Sequence, residues 1–406
     1  MLDDDKLEKV LELYFNRFNN INTEVLKLLG ETIKQFDGVT PSQAHKIAQK
    51  LKYGTDLDEL INEISKASGK SAKEVRTLLD KVAEENVDFA EVYYKAKNKE
   101  FISYKDNKQL RRYVSTVSNQ TNELFKNIAD SRNIGFTFID KKGNTIFKPL
   151  RDVYNDLIDE AVYNVSTGVT DYQSAMRSTI RKLADSGIKV HEEKVGYKSG
   201  YNRRIDTAVR QNILDGIRTT NIGIQNLVGE EFGADGVEIS AHSPCAEDHL
   251  EYQGHQYSTN KYDEQGNLIE EGEYEKIEKK LVRQFGTLNC RHFVFRIVLG
   301  VNQPSYTNKE LKEMEKESHQ KVKYKGKTYT KYQATQEQRR IETEVRKQKD
   351  RQIIARASEE IGEVDKAQQK ISQLTTLYKD FSESVGLPTY IEKMQVSGYH
   401  RVKAKK

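Results

Sequence analysis

The chain has 406 residues, with 66 Lys and Arg against 62 Asp and Glu, only 36% hydrophobic residues and a mean hydropathy of −0.79. That length sets a prior of about two to three domains, and that composition excludes a single large apolar globule. No apolar run approaches the roughly 20 residues that span a bilayer, two cysteines make no disulfide framework, and the opening MLDDDKLEKV lacks the plan of a secretory leader, so the expectation is a soluble chain in a reducing compartment with no membrane partner.

Residues 5–36 place Leu7, Val10, Leu11, Tyr14, Phe15, Phe18, Ile21, Val25 and Leu28 at helical spacing along one stripe. Thr40-Pro41-Ser42-Gln43 predicts a fresh helix start, with Thr40 as cap, Pro41 in the first turn and Gln43 closing a capping box. Residues 57–82, 86–103 and 108–133 continue in helical style. The first region, 1–133, therefore reads as helical.

Ile134 to Phe147 breaks the pattern. Aromatic and β-branched residues flank Asp140-Lys141-Lys142-Gly143-Asn144, a hairpin signal. Helix 150–166 follows, then a capping box from Thr170 to Gln173 opening helix 171–186, a second hairpin over Ile188–Tyr201, and a long helix from Arg203 to Phe232 closed by Gly233. This second region spans 134–235.

The third region, 236–304, is compact and unlike the rest. It holds both cysteines, Cys245 and Cys290, and four of the eight histidines: His242, His249, His255 and His292. Val237–Ser240 and Phe293–Val298 have strand composition, Tyr252–Ser258 reads as extended, Tyr274–Phe285 as helical and Asn260–Glu273 as a polar loop.

The fourth region, 305–406, starts with a capping box at Thr307–Glu310 opening helix 308–319, followed by a basic hairpin over Val322–Tyr329. A long helix is predicted from about Ala334 to beyond Leu374. Its series Ile354, Ala357, Ile361, Val364, Gln368 and Ile371 follows a three–four step that suits a coiled-coil-like contact with another chain or with the N-terminal helices. Gly386-Leu387-Pro388 ends the helical pattern, and a basic tail, His400–Lys406, follows. The fold class expected is α+β and predominantly helical: long amphipathic helices around a small central α+β module, with short β-hairpins.

Residues 301–406 carry 23 basic and 15 acidic residues, while the rest of the chain is net acidic. Arg339, Arg340, Arg346, Lys347, Lys349 and Arg351 on the long helix are the candidates for contact with DNA phosphates or with an acidic protein surface. The interleaved Glu342, Glu344 and Asp350 fit an ordinary solvated helix as well.

Two readings compete for the His/Cys module. In one, His242, His249 and His292 are buried histidines that hydrogen-bond loop backbone and lock an irregular module, with Cys290 as a small core residue. In the other, structural zinc is held by members of the set His242, His249, Cys290 and His292, with Cys245 a weaker candidate. Cys245-x3-His249 has ligand spacing and Cys290-x-His292 is tighter than usual, although on a strand the two would share a face. A Cys245–Cys290 disulfide does not suit a reducing compartment. The set Asp248-His249, Asn289 and His292 also suggests an HNH-type nuclease, but Asn289 and His292 are too close in sequence for that metal pair. The sequence contains no Gly-rich phosphate loop, nucleophile elbow or H-E-x-x-H helix, so no catalytic residue is named.

Several short blocks recur in an order that resembles the tailed-phage minor capsid protein 2 family, relatives of the phage Mu F-like head morphogenesis proteins. They are Ala241-His242, Asp248-His249, Tyr252-Gln253-Gly254 and Asn289-Cys290-Arg291-His292. Downstream come Tyr324 to Thr330, Tyr332 to Gln336 and Gln338-Arg339-Arg340. Tyr252 stands where the family usually has Trp, and Cys245 lies off the motif positions. The resemblance implies a structural, non-enzymatic virion protein, made in the host cytoplasm and held inside the head at the portal vertex. There it would serve head assembly, DNA packaging or DNA ejection. The implied partners are the portal protein, scaffold or major capsid protein, and packaged DNA without sequence preference. The alternative is a metal-dependent nuclease built on the module.

Overall fold

The computed structural model describes residues 4–96, 98–167, 172–192, 201–263, 265–286, 290 and 292–402. The Thr170 cap, the turn of the second hairpin, Asn289, Arg291 and the last four residues of the basic tail lie outside the described residues. The fold is predominantly helical α+β with small antiparallel sheets, as the sequence pattern predicts. Among the described residues no helix is long and apolar enough to cross a membrane.

The chain forms two compact units, each assembled from separated stretches. Unit 1 comprises residues up to Leu11, Ala72–Glu123 and Gln211–Thr335. Unit 2 comprises Glu12–Ser71, Leu124–Arg210 and Gln336–Lys406.

Four helices open the chain: α1 (Asp4–Lys34), α2 (Pro41–Lys52), α3 (Asp56–Ala96) and α4 (Lys108–Ala129). The Thr40 capping box at α2 is present with both reciprocal bonds. Residues 57–96 form one helix rather than two, and that helix ends at Ala96, short of the predicted 103. Asn98 then takes the left-handed conformation (φ +52°) that asparagine tolerates better than most residues. Asn107 starts α4 by accepting bonds from the Gln109 and Leu110 amides, both at 3.1 Å.

Next come β1 (Ile134–Ile139), β2 (Thr145–Pro149), α5 (Leu150–Thr167), α6 (Tyr172–Ser186), β3 (Lys189–Glu192) and β4 (Tyr201–Arg204). The strands form one antiparallel sheet of order β2-β1-β3-β4 within unit 2. At the β1–β2 turn Asp140 Oδ1 accepts from the amides of Lys142 and Asn144, each at 2.8 Å, and Gly143 takes φ +83°.

Unit 1 contains α7 (Ile205–Phe232) from Gln211 onward and a three-stranded antiparallel sheet, β6-β5-β9, with β5 at Gly236–Ile239, β6 at Gln256–Ser258 and β9 at Val294–Ile297. Here α7 crosses α4 closely. A Cβ at Gly216 would meet Thr121 Oγ1 at 2.5 Å, and one at Gly223 would overlap the Tyr113 ring. Between the strands lie α8 (Glu247–Leu250), β7 (Lys261–Tyr262), β8 (Leu268–Glu270) and α9 (Glu273–Lys280). The stretch predicted as a polar loop is thus a small hairpin, β7–β8, whose turn repeats the first. Asp263 Oδ1 accepts from Gln265 and Asn267 amides, and Gly266 has φ +84°. The helix expected over 274–285 stops at Lys280, because Leu281 is already extended.

The unit continues through α10 (Asn308–His319), opened by the Thr307–Glu310 capping box, and the hairpin β10 (Lys321–Tyr324) with β11 (Lys327–Thr330).

The predicted continuous C-terminal helix is two helices, α11 (Lys331–Ala357) and α12 (Ile361–Ser384). Glu359 takes φ +58°, and the Glu360 amide reaches back to the Ala355 carbonyl at 2.9 Å, closing α11 with a left-handed C-terminal turn. The expected heptad register is broken there, and Ile361 is 67% exposed. Ile354 and Ala357 do meet an N-terminal helix: a Cβ on Gly30 of α1 would come within 2.6 Å of Ala357 Cβ.

Candidate metal centre

The order of the small sheet places the His/Cys residues. Strand β5 runs antiparallel to β9, with Ile239 opposite Val294, so the segment leaving β5 and the segment entering β9 meet at one end of the sheet. The meeting is prolonged by Ser240 N–H donating to Phe293 O at 2.9 Å and Phe293 N–H to Ser240 Oγ at 2.8 Å. Gly254 N–H donates to Ile239 O at 2.7 Å and brings the approach to β6 to the same end. Gly254 does this at φ +72°, and a Cβ there would meet Leu311 at 2.2 Å and Ala241 at 3.3 Å, which gives a physical reason for glycine in that motif block.

His242, Cys245 and α8, which carries His249, follow β5; Cys290 and His292 precede β9 in irregular chain rather than on it. The floor is a small apolar core of Val237, Ile239, Ile277, Phe285, Cys290 and Val294. His249, His292 and Cys290 are 1%, 2% and 5% exposed. His255 faces solvent. Cys245 and Cys290 are both buried free thiols.

Three donor atoms converge. His249 Nδ1 and His292 Nδ1 are 3.4 Å apart, and Cys290 Sγ is 3.4 Å from the first and 3.2 Å from the second. The outward ring nitrogens are held by oxygen acceptors: His249 Nε2 lies 2.6 Å from the Arg283 carbonyl and His292 Nε2 3.1 Å from Gln253 Oε1. Gln253 Oε1 also accepts from the His242 amide at 3.1 Å, which fixes the oxygen of that side chain toward both groups. The His242 ring packs on His292 with centroids 4.5 Å apart. Cys245 Sγ sits on the far side, 3.7 Å from His292 Nε2. Arg283 is anchored by Asp248, Nη2 to Oδ1 at 2.6 Å.

Burial, together with the neighbouring His242, His249, Arg283 and Arg218, drives the His292 imidazole down to about 2, and burial also lowers His249. Burial raises both thiols, Cys245 to about 12.

Sequence reading named His242, His249, Cys290 and His292, and all four meet here. It missed Gln253 and Arg283, which set the histidine tautomers. Gln253 lies in the block Tyr252-Gln253-Gly254, and that is its signal in the sequence; the Arg283 carbonyl carries none, because it acts through backbone. Asn289, the third member of the nuclease set, lies outside the described residues.

The cationic candidates on α11 divide. Arg339 and Arg340 are exposed, and Arg340 pairs with Glu337. Arg346 lies over the Phe15 ring, Lys347 pairs with Glu344, Lys349 donates to the Met394 carbonyl at 2.7 Å and Arg351 pairs with Glu363.

The blocks Ala241-His242, Asp248-His249, Gln253-Gly254 and Cys290/His292 are separate stretches of sequence, and the fold makes them one cluster. A family model described as Phage minor capsid protein 2 matches residues 2–383. No curated protein and no solved structure matches the chain. With nearly its whole length accounted for by that one family, the chain belongs to the phage minor capsid protein 2 family and is a structural component of a phage particle.

Proposed function

We propose that this protein is a non-enzymatic head component bound at the portal vertex on the capsid interior, where it aids head assembly and the packaging or ejection of DNA. The observation that carries the reading is family membership over residues 2–383. Two surface features support it. Hairpin β1–β2 exposes Ile139 and Ile146, and hairpin β7–β8 exposes Tyr262, Leu268 and Ile269, apolar groups suited to burial against another protein. Hairpin β10–β11 presents Lys321, Lys323, Lys325 and Lys327 to solvent, and these suit phosphate or an acidic portal surface.

A nuclease reading finds less support. The one carboxylate near the cluster among the described residues, Asp248, lies 3.7 Å from the outward His249 Nε2 and pairs with Arg283, so no carboxylate stands with the His249, Cys290 and His292 donor atoms, and those donors are buried. The deciding experiment is co-purification with rings of the same phage's portal protein at moderate salt, with immunolabelling of virions alongside. Retention on the rings and label at one vertex are expected. No retention, or label spread over the whole shell, would overturn the portal assignment. Cleavage of plasmid DNA with Mg²⁺, Mn²⁺ or Zn²⁺ would overturn the non-enzymatic one.

A further inference from the structure

We propose that His249 Nδ1, Cys290 Sγ and His292 Nδ1 form a binding site for a zinc-class divalent cation that staples the end of the β6-β5-β9 sheet.

The first argument is proton accounting. A backbone carbonyl only accepts, so the Arg283 oxygen at 2.6 Å requires the proton of His249 to be on Nε2. Gln253 Oε1 takes the His242 amide proton, so this oxygen, not the amide nitrogen, faces His292 Nε2, and His292 is protonated there too. Both Nδ1 atoms are therefore bare lone pairs, and they face each other at 3.4 Å. Cys290 has one thiol proton and can serve only one of them. In a pocket this buried, two acceptors sharing at most one proton leave one of them unsatisfied. A cation replaces the missing proton and satisfies all three donors at once, and the histidine-locked packing alternative does not.

The second argument is size. Tetrahedral zinc, with Zn–N of about 2.0–2.1 Å and Zn–S of about 2.3 Å, sets its ligand atoms roughly 3.3 Å apart for N/N and roughly 3.6 Å apart for N/S. The observed edges are 3.4 Å for N/N and 3.2 and 3.4 Å for N/S. The triangle is already close to one face of such a tetrahedron.

The third is the outer shell. Metal-bound histidines characteristically donate their other ring N–H to a carbonyl or carboxyl-type oxygen, which fixes tautomer and ring angle. Both histidines do so here. A donor set of one sulfur and two imidazole nitrogens favours zinc over magnesium or calcium, which take oxygen. Cys245 faces the other nitrogen of His292 and is not a ligand in this arrangement.

The test uses the full-length protein, stripped with chelator and titrated with Zn²⁺, then with Co²⁺ as a spectroscopic substitute. Wild type should take up about one metal per chain, and the Co²⁺ form should show a thiolate-to-metal charge-transfer band with tetrahedral visible bands. Cys245→Ser should keep both. Cys290→Ser should lose the charge-transfer band, and His292→Ala should lose tight binding. Gln253→Ala should weaken affinity by roughly 10–100-fold while keeping the spectrum. A wild type that takes up no metal, a Co²⁺ form with no thiolate band, or loss of metal in Cys245→Ser would each overturn the assignment. The two wild-type readouts decide the question even if a ligand variant fails to fold.

Discussion

Arg204 and Asp350 are joined by a 2.7 Å ion pair across 146 residues of sequence, and neither side chain reaches solvent appreciably. Asp206 lies beside the same guanidinium at 3.3 Å, and the Arg346 charge acts on Asp206 and Asp350 from close by. Asp350 also accepts from Asn22 Nδ2 at 3.1 Å, while Asn22 Oδ1 accepts the Ile188 amide at 3.0 Å. One polar knot thus ties α1, the approach to β3, the end of β4 and α11 inside unit 2.

Removing one member of such a knot leaves a buried charge uncompensated. Asp350→Ala should destabilise the protein by about 3–5 kcal/mol, read as a lower urea midpoint. The exposed Lys27–Glu24 pair is the control, and Glu24→Ala should cost about 0–1 kcal/mol. Equal effects at the two sites would show that the buried network has no special weight.

Acid should loosen unit 2 through Glu363. Burial pushes this carboxyl up, but hydrogen bonds from Arg181 and Arg351 outweigh it and hold the group at about 2. A carboxyl depressed in the folded state contributes stability that is fully present above its unfolded value of about 4.3 and is lost as pH falls toward 2. Glu363→Gln should therefore lower the melting temperature at pH 7, with the gap to wild type closing across that window. A gap independent of pH would contradict this.

Two helical glycines should respond oppositely to the same substitution. Gly69 lies within α3 with nothing within 4 Å of an added Cβ, so Gly69→Ala should stabilise by about 1 kcal/mol through helix propensity. Gly223→Ala would force aside the Tyr113 ring, whose hydroxyl donates to the Thr219 carbonyl at 2.9 Å, and should destabilise by about 1–3 kcal/mol. Thermal melts of both variants check the pair.

Gly254→Ala should destabilise by at least about 1 kcal/mol, because it combines a left-handed backbone with a clash against Leu311. Adding Leu311→Ala should relieve the clash and leave the backbone strain, so the rescue in a double-variant melt should be partial. Full rescue would mean that crowding alone demands the glycine.

Local signals were legible in the sequence where one residue acts by local chemistry. Of the three capping boxes, those at Thr40 and Thr307 form, and the one at Thr170 lies outside the described residues. Asp140-x-x-Gly-Asn announced the first hairpin because strong β-formers flank it. The identical spacing at Asp263-x-x-Gly-Asn does not stand out because its flanks are polar, and the strands it joins are only two and three residues long. The break at Glu359 gave no warning, since the left-handed position holds neither Gly nor Asn. The His/Cys residues were identifiable by type and their convergence was not, because it depends on the antiparallel register of β5 and β9. The Arg204–Asp350 knot was invisible for the same reason: no short window contains both partners.

The knot also bears on how the chain is made. Asn22 emerges from the ribosome early, Arg204 midway and Asp350 late, the last 328 positions after the first. Until the last stretch of unit 2, Gln336–Lys406, has been synthesised, Arg204 has Asp206 but lacks Asp350, and the core containing α1 lacks α11 and α12. Unit 2 is therefore completed after translation of its final segment and not progressively from its N-terminus. A nascent chain arrested near residue 335 would hold an unfinished unit 2 and would be a substrate for chaperones and proteases.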